Sequence, residues 1–144
     1  MVIVSLASTL FAASARDLKT KEVERIIWLP VCFLYVIHLV CDPGNLNIFF
    51  LINVLFYGII QECFFARLYG KADCHAFFVC GIMLIMLKHD LTICFLHMTI
   101  SFLILIAVQF LRGNIDRTFK LKRPVAFIPY ISLSFVIVYL FCCV

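Results

Sequence analysis

Residues 91–111 read LTICFLHMTISFLILIAVQFL, a run of 21 residues that contains no lysine, arginine, aspartate or glutamate. A bilayer core about 30 Å thick is crossed by about 20 helical residues, because each residue of an α-helix adds about 1.5 Å along its axis. This stretch therefore predicts a transmembrane helix. It also predicts that the lipid bilayer is a partner of the chain.

The composition of the whole chain favours the same environment. Of its 144 residues, 65% are hydrophobic and 14% are charged, whereas a soluble domain has about half apolar and roughly a quarter charged residues. The 16 phenylalanines and 5 tyrosines exclude a disordered or fibrous chain. The net charge of +4 lies in short clusters between apolar runs, which favours a role in membrane orientation and argues against binding of nucleic acid.

Six apolar stretches are candidate transmembrane helices, and their continuous apolar character lacks the alternation of a β-barrel. Three of them are shorter than a bilayer requires, so we expect the first helix to continue past Asp17 towards Lys21. The second helix is expected to begin near Glu22 and the fourth near Leu68. The first stretch is interpreted as a retained span, because the first arginine follows it. The six stretches are roughly 1–15, 26–41, 46–66, 74–87, 91–111 and 125–144.

The basic residues are concentrated in alternate loops. Eleven of the twelve follow the first, third and fifth apolar stretches. Because lysine and arginine are enriched on the cytoplasmic side of a membrane, the pattern predicts an all-α protein with six transmembrane helices. Both termini are expected outside, with three short cytoplasmic loops and one polytopic domain over residues 1–144. The eleven residues are Arg16, Lys19, Lys21, Arg25, Arg67, Lys71, Arg112, Arg117, Lys120, Lys122 and Arg123.

Two aspartates are expected at the same membrane depth, since Asp17 ends the first predicted helix and Asp73 opens the fourth. An ionisable side chain at this depth is a functional candidate by default. Two carboxylates held a few ångströms apart share one proton, and such a pair activates water as a base while it protonates a leaving amide as an acid. The alternative is that each aspartate pairs locally at the membrane boundary. The local partners are then Arg16 or Lys21 for the first aspartate and Lys71 for the second.

Three short segments lie at the ends of predicted helices. Residues 15–21 read ARDLKTK, residues 70–73 read GKAD and residues 124–130 read PVAFIPY. In the same order, they resemble the D-x-R/K-x-R/K, G-x-G-D and Pro-Phe-x-Pro motifs of the type IV prepilin peptidase family. The resemblance covers nearly the whole chain.

The resemblance implies an intramembrane aspartyl protease of the plasma membrane, in the short, protease-only form of the family. Such an enzyme cuts the basic leader from a prepilin or pseudopilin at the cytoplasmic face and needs no metal or organic cofactor. By this resemblance Asp17 and Asp73 are the catalytic residues. Supporting roles in substrate binding or structure fall to Lys19, Gly70 and Pro129.

The chain departs from the family pattern in two places. Residues 23–25, Val-Glu-Arg, stand where the family usually has Ile-Pro-Asn, so the helix-breaking proline is missing. Ala72 replaces the second glycine of the second motif. If the backbone there requires a positive φ or a close approach, the added methyl group is unfavourable.

Other polar residues have both functional and structural interpretations. Glu62 lies within the third apolar stretch, where it either contacts the leader or tunes the aspartates, or else pairs with Arg67 or Gln61 near the interface. The eight cysteines form no C-x-x-C pair and lie mostly within apolar runs, so we expect neither a disulfide framework nor a metal site.

Three other functions stay open at this point. The first is an inactive relative that keeps the fold as an assembly subunit. The second is a small transporter that uses Asp17, Asp73 and Glu62 as proton or cation sites. The third is a purely structural bundle. The sequence also leaves a homo-oligomer open. A protease needs both aspartates for its activity, and this requirement separates it from the other three functions.

Overall fold

The chain is described by a computed structural model that covers residues 2–20, 23–41, 43, 47–66, 70–88, 90–114 and 125–143. Within these residues all regular secondary structure is helical, which confirms the prediction of an all-α protein for the described part of the chain. Helix α1 is Val2–Thr20. Helix α2 is Leu29–Cys41, and a 3-10 turn, Arg25–Trp28, leads into it.

The remaining helices follow in order. Helix α3 is Ile48–Ile60 and continues as a π-helical segment, Gln61–Phe65. Helix α4 is Lys71–Lys88 and helix α5 is Thr92–Leu111. Helix α6 is Ile128–Val138 and continues as a second π-helical segment, Tyr139–Cys143.

Two of the described helices are long and apolar enough to cross a membrane, namely Ile48–Phe65 and Thr92–Leu111. The apolar helices Arg25–Cys41 and Ile128–Cys142 are shorter. Large apolar side chains are exposed along the bundle, including Phe11 at 79%. Such a surface is typical of a protein that contacts lipid.

Local backbone conformation sets the described helix boundaries. Helix α1 continues past Asp17 to Thr20, as expected. The starts expected near Glu22 and Leu68 fall on residues outside the described part of the chain. The second helical element begins at Arg25 because Glu24 is extended, and α4 begins at Lys71 because the φ of Gly70 is +101°.

Helix α4 is the central helix of the bundle. It packs against α1, α3, α5, α6 and the 3-10 turn before α2. Leu84 and Ile85, on α4, are fully buried. Helix α6 packs mainly against α1 and α5. The first and fourth helices, which carry the two aspartates, are therefore in contact within one core.

Glycines bring α3 and α4 close together. A Cβ added at Gly81 of α4 would lie 2.2 Å from Cε1 of Tyr57 on α3, and a Cβ added at Gly58 of α3 would lie 3.0 Å from Cε2 of Phe78 on α4. Tyr57 is fully buried, and its hydroxyl donates to the carbonyl oxygen of Phe77 over 3.4 Å. Each helix thus places an aromatic ring over a glycine of the other, a close packing that small residues permit between membrane helices.

The relative directions of three helices follow from a groove of about 420 Å³. Its lining includes Val2 at the start of α1, Cys41 at the end of α2 and Leu87 near the end of α4. Helices α2 and α4 therefore run in the same direction, and α1 runs in the opposite one. The ends that carry Asp17 and Asp73 accordingly lie at the same end of the bundle.

Candidate active site

Asp17 is buried in the last turn of α1 and receives a hydrogen bond from the start of α6. Its side chain is 7% exposed, and its Oδ2 accepts the backbone N–H of Ile128 over 3.0 Å. Ile128 is the first residue of α6. The first N–H groups of a helix lack partners within the helix, and its N-terminus carries a partial positive charge. This donor therefore stabilises a negative charge on Asp17.

Asp73 is partly buried in the first turn of α4. It lies within electrostatic range of the Asp17 carboxylate, so two negative charges at these positions repel each other. Although 56 residues separate them along the chain, the packing of α1 against α4 brings them together. The arrangement favours one ionised and one protonated carboxylate, because two adjacent negative charges repel each other.

The backbone around Asp73 is fixed by Gly70 and by the end of α3. Gly70 has a φ of +101°, a region that L side chains rarely adopt, and its carbonyl oxygen accepts the N–H of Cys74 over 3.2 Å. The Sγ of Cys74 donates to the carbonyl oxygen of Gln61, in the π-helical segment, over 3.4 Å. The start of α4 is therefore held both by a glycine conformation and by a contact to α3.

Ala72 occupies an ordinary helical position. It is the second residue of α4 and its side chain is partly buried. A helical residue has a negative φ, so an alanine fits there without backbone strain. The positive φ in this segment lies at Gly70 instead.

The end of α1 is joined to the following segment by an exposed ion pair. Arg16 Nη2 lies 2.6 Å from Oε1 of Glu24. The local pairing considered from the sequence was between Arg16 and Asp17. Asp17 instead accepts the N–H of Ile128. Lys19 is exposed in the last turn of α1. The alternative partner Lys21 lies outside the described residues.

An apolar groove runs between α1 and α6 and ends near Asp17. It encloses about 400 Å³, and Pro129 at the start of α6 forms part of its wall. Ser14 and Ser132 line the groove from opposite helices and share a hydrogen bond of 2.9 Å. Since Ser14 precedes Asp17 by three residues, about one helical turn, the polar end of the groove adjoins the aspartate.

Glu62 lies on the α3 side of α4. It is exposed in the π-helical segment and lines a cleft of about 220 Å³ together with Cys74 and His75. The neighbouring Gln61 is buried, and its Nε2 donates to Sδ of Met98 over 3.1 Å. The predicted partner Arg67 lies outside the described residues.

The donor from Ile128 is a feature that the sequence analysis missed. A backbone N–H has no identity in the sequence, so only the contact between α1 and α6 reveals it. The available signal was the proline at position 129, because proline is favoured in the first turn of a helix and marks where free N–H groups occur.

The described residues contain no group of three or more histidine, cysteine, aspartate or glutamate side chains that could hold a metal ion. The cysteines described in this part of the chain are free thiols, and three of them are buried. The carboxyl groups of the two aspartates can accept protons from water and donate them.

One comparison with known proteins identifies a relationship. A family model described as the type IV leader peptidase family matches residues 4–110. The matched region contains both aspartates and Gly70, and it ends before Pro129. No curated protein and no solved structure matches the chain.

Proposed function

Because this chain belongs to the type IV leader peptidase family, we propose that it is an aspartyl endopeptidase that removes the leader from prepilin-like proteins. The observation that carries the proposal is the packing of α1 against α4, two helices of the matched region, which brings Asp17 and Asp73 to the same end of the bundle within electrostatic range. Carboxylates brought together in this way are the chemical requirement for hydrolysis by an aspartyl protease.

In the proposed reaction Asp17 is the ionised base and Asp73 the protonated acid. Asp17 takes a proton from water while the water oxygen forms a bond to the scissile carbonyl carbon, and Asp73 gives its proton to the carbonyl oxygen. Breakdown of the tetrahedral intermediate then breaks the C–N bond. The amide nitrogen leaves as an amine after it receives the proton held by Asp17, and one hydroxyl of the intermediate returns its proton to Asp73 as the new carboxyl group forms.

The hydrogen bond from Ile128 supports this assignment of roles. A buried carboxylate that accepts a backbone N–H at a helix N-terminus is stabilised in its charged form. Once Asp17 is charged, its repulsion favours the neutral form of Asp73. The proton shared by the pair therefore resides on Asp73 in the resting enzyme.

The groove between α1 and α6 is the proposed site for the apolar segment of the substrate. A prepilin-like substrate has a polar leader followed by an apolar helix, so its cleavage site lies at a boundary between polar and apolar sequence. The groove has the matching order, because its apolar walls lead to the Ser14–Ser132 pair and then to Asp17. The substrate is thereby held with its leader junction beside the two carboxylates.

We also propose that the protein spans the plasma membrane six times, with both termini outside and the aspartates at the cytoplasmic face. The distribution of lysine and arginine in the sequence supports this orientation. The test is labelling of single cysteines in intact cells by a reagent that does not cross membranes. A cysteine placed at Val2 should react, and one placed at Lys19 should not.

The activity is tested by co-expression with a prepilin from the same genome. Leader removal is measured by gel shift and N-terminal sequencing for the wild type, Asp17→Asn and Asp73→Asn. Asp90→Asn is the matched control, because this exposed aspartate precedes α5 and caps its first turn. We expect cleavage by the wild type and the control only.

Two other results would contradict the proposal. If the wild type leaves every prepilin intact, the chain is an inactive member of the family. If Asp73→Asn abolishes a proton flux measured in liposomes and no variant cleaves, the aspartates serve transport.

A further inference from the structure

Trp28 carries a buried hydrogen-bond donor that has no acceptor in the described part of the chain. Its side chain is 3% exposed, and its indole Nε1 makes no hydrogen bond there. An indole N–H can only donate, and a buried donor without a partner is unfavourable by about 1–3 kcal/mol. A buried donor without a partner calls for an explanation, and a functional role is one of the recognised explanations.

The 3-10 turn that ends with Trp28 packs against both helices that carry the aspartates. The ion pair between Arg16 and Glu24 attaches the start of the same segment to the end of α1. The turn and its buried indole therefore lie at the end of the bundle that carries Asp17 and Asp73.

The alignment of α2 with α4 gives the depth of Trp28 in the bundle. The hydroxyl of Tyr35 donates to the carbonyl oxygen of Val79 over 2.9 Å, which aligns these two residues. Trp28 precedes Tyr35 by seven residues, and Ala72 precedes Val79 by seven residues. Because α2 and α4 run in the same direction, the same displacement of about 10 Å along each axis brings Trp28 level with Ala72. Asp73 is the next residue.

We propose that the indole N–H of Trp28 binds a backbone carbonyl oxygen of the polypeptide substrate beside the two aspartates. The inference rests on the proposed function and adds a substrate-binding residue to it. It explains the donor, because a peptide segment must leave its helical hydrogen bonding before it is cut, and its carbonyl oxygens then lack partners. At membrane depth water is scarce, so a protein donor is the natural replacement.

The chemistry of the indole fits a neutral acceptor. Its N–H is uncharged, whereas the aspartates are the groups that handle protons in the proposed reaction. A donor to the carbonyl of the bound substrate strengthens binding before the chemical step, so its loss should raise KM and leave kcat unchanged. Trp28 is accordingly assigned to substrate binding.

A direct test uses fluorescence, since Trp28 is the single tryptophan of the chain. The inactive variant Asp73→Asn, purified in detergent, is titrated with a tryptophan-free synthetic peptide that spans a prepilin leader junction. We expect a saturable shift of the emission to longer wavelength as the indole N–H gains an acceptor. A peptide of the same composition in scrambled order is the control and should leave the emission unchanged.

A second test removes the N–H and keeps the shape of the side chain. Growth of a tryptophan auxotroph on benzothienylalanine places sulfur where Nε1 lies, and the single tryptophan restricts the change to position 28. We expect KM to rise about fivefold, as for the loss of one neutral hydrogen bond, with kcat and the unfolding temperature unchanged. Replacement by 5-fluorotryptophan, which keeps the N–H, should leave KM at the wild-type value.

The outcomes separate this inference from the proposed function. An unchanged KM in the sulfur analogue overturns the inference, whether or not the unfolding temperature falls. A fluorescence shift without any cleavage by the wild type keeps the role of Trp28 in binding and contradicts the proposed activity. Cleavage by the wild type without a fluorescence shift contradicts the role of Trp28 alone.

Discussion

At the scale of single residues, the two aspartates are held by different means. Asp17 is fixed by a donor from a distant helix, the N–H of Ile128. Asp73 depends on the local backbone, because the positive φ of Gly70 determines where α4 begins. The two halves of the proposed catalytic pair should therefore respond to different substitutions.

We expect Gly70→Ala to misplace Asp73. At a φ of +101° a side chain is strained by about 1–3 kcal/mol, and the start of α4 shifts to relieve that strain. Space is not the cause, since an added Cβ would lie 3.7 Å from Oδ2 of Asp73, an ordinary contact. Leader cleavage should fall about tenfold or more, as a small misplacement of a catalytic group produces. It is measured as kcat/KM with purified enzyme.

Ala72→Gly is the matched control for this substitution. It restores the second glycine of the motif at a helical position, and its effect should be confined to helix propensity, about 1 kcal/mol in the free energy of unfolding. Equal losses of kcat/KM in the two variants would contradict the distinction between positions 70 and 72.

Side-chain identity carries part of the information at this scale. The sequence indicated that Asp17 and Asp73 lie at one depth, and the helices that carry them, α1 and α4, pack against each other. The catalytic role of the pair stays a prediction. The sequence did not indicate the contribution of Ile128, because that contribution comes from a backbone group. It also did not determine whether Ala72 needs a positive φ, since the backbone angle depends on where the helix begins.

At the scale of helices, the contact between α3 and α4 depends on the absence of a side chain at Gly81. We expect Gly81→Ala to destabilise the protein by about 1–3 kcal/mol, the range for overpacking of a core. The new Cβ would lie 2.2 Å from the buried ring of Tyr57. The quantity to measure is the free energy of unfolding in detergent.

Two further variants test this cause. Gly58→Ala should have a smaller effect, because its Cβ would meet the partly buried ring of Phe78 at 3.0 Å. The double variant Gly81→Ala with Tyr57→Leu should recover part of the loss, since the smaller side chain removes the overlap. Additive effects of the two substitutions would show that the ring of Tyr57 is not the obstacle.

The hydrogen bonds at the start of α5 predict that the stability of the protein depends on pH. Asp90 Oδ1 accepts the backbone N–H and the hydroxyl of Thr92, each over 2.9 Å. These hydrogen bonds lower the pKa of Asp90 below its ordinary value of 3.8. Because the pKa of Asp90 is lower in the folded than in the unfolded protein, its carboxylate stabilises the fold at any pH above the unfolded pKa. This stability is lost as the pH falls through the folded pKa.

The expected result is a larger acid-induced fall of the unfolding temperature in the wild type than in Asp90→Asn. The asparagine keeps an acceptor for Thr92 but does not titrate, so its hydrogen bonds persist at low pH. Unfolding is followed by circular dichroism from pH 6 to pH 2. Identical pH profiles would exclude a contribution from this carboxylate.

Helix type was more predictable than helix boundaries. The apolar runs were long enough to identify the helical elements, but the starts expected near Glu22 and Leu68 were derived from the length needed to cross a bilayer. The actual starts are set by local conformation, which is extended at Glu24 and left-handed at Gly70. Neither conformation follows from membrane thickness.

At the scale of the whole molecule, two grooves of similar size allow the substrate path to be tested. The groove between α1 and α6 encloses about 400 Å³, and the groove lined by the start of α1 and the ends of α2 and α4 encloses about 420 Å³. Ala7→Trp should fill the first groove and lower kcat/KM about tenfold, which corresponds to about 1.4 kcal/mol. Cys41→Trp fills the second groove and should leave cleavage unchanged.

Cleavage assays with a prepilin-derived peptide decide between the two paths. A loss caused by Cys41→Trp alone would place the apolar segment of the substrate in the second groove. Unfolding temperatures close to that of the wild type are required for both variants, so that the comparison reports on binding.

The arrangement of the helices was the least predictable property. A single sequence indicates which segments are helical but not which helices touch, because apolar faces pack against one another without a specific code. The contacts of α6 with α1 and of α2 with α4 emerge only from the assembled bundle. They provide the donor to Asp17 and the position of Trp28.

The hydrogen bond between Asp17 and Ile128 joins residues that are 111 positions apart. During synthesis α1 leaves the ribosome long before α6, so the Asp17 carboxylate is made before this donor exists. The donor arrives only when α6 docks against α1. In the proposed reaction Asp17 is the base, so the proposed catalytic pair is complete only after this docking, and the activity should appear late in folding.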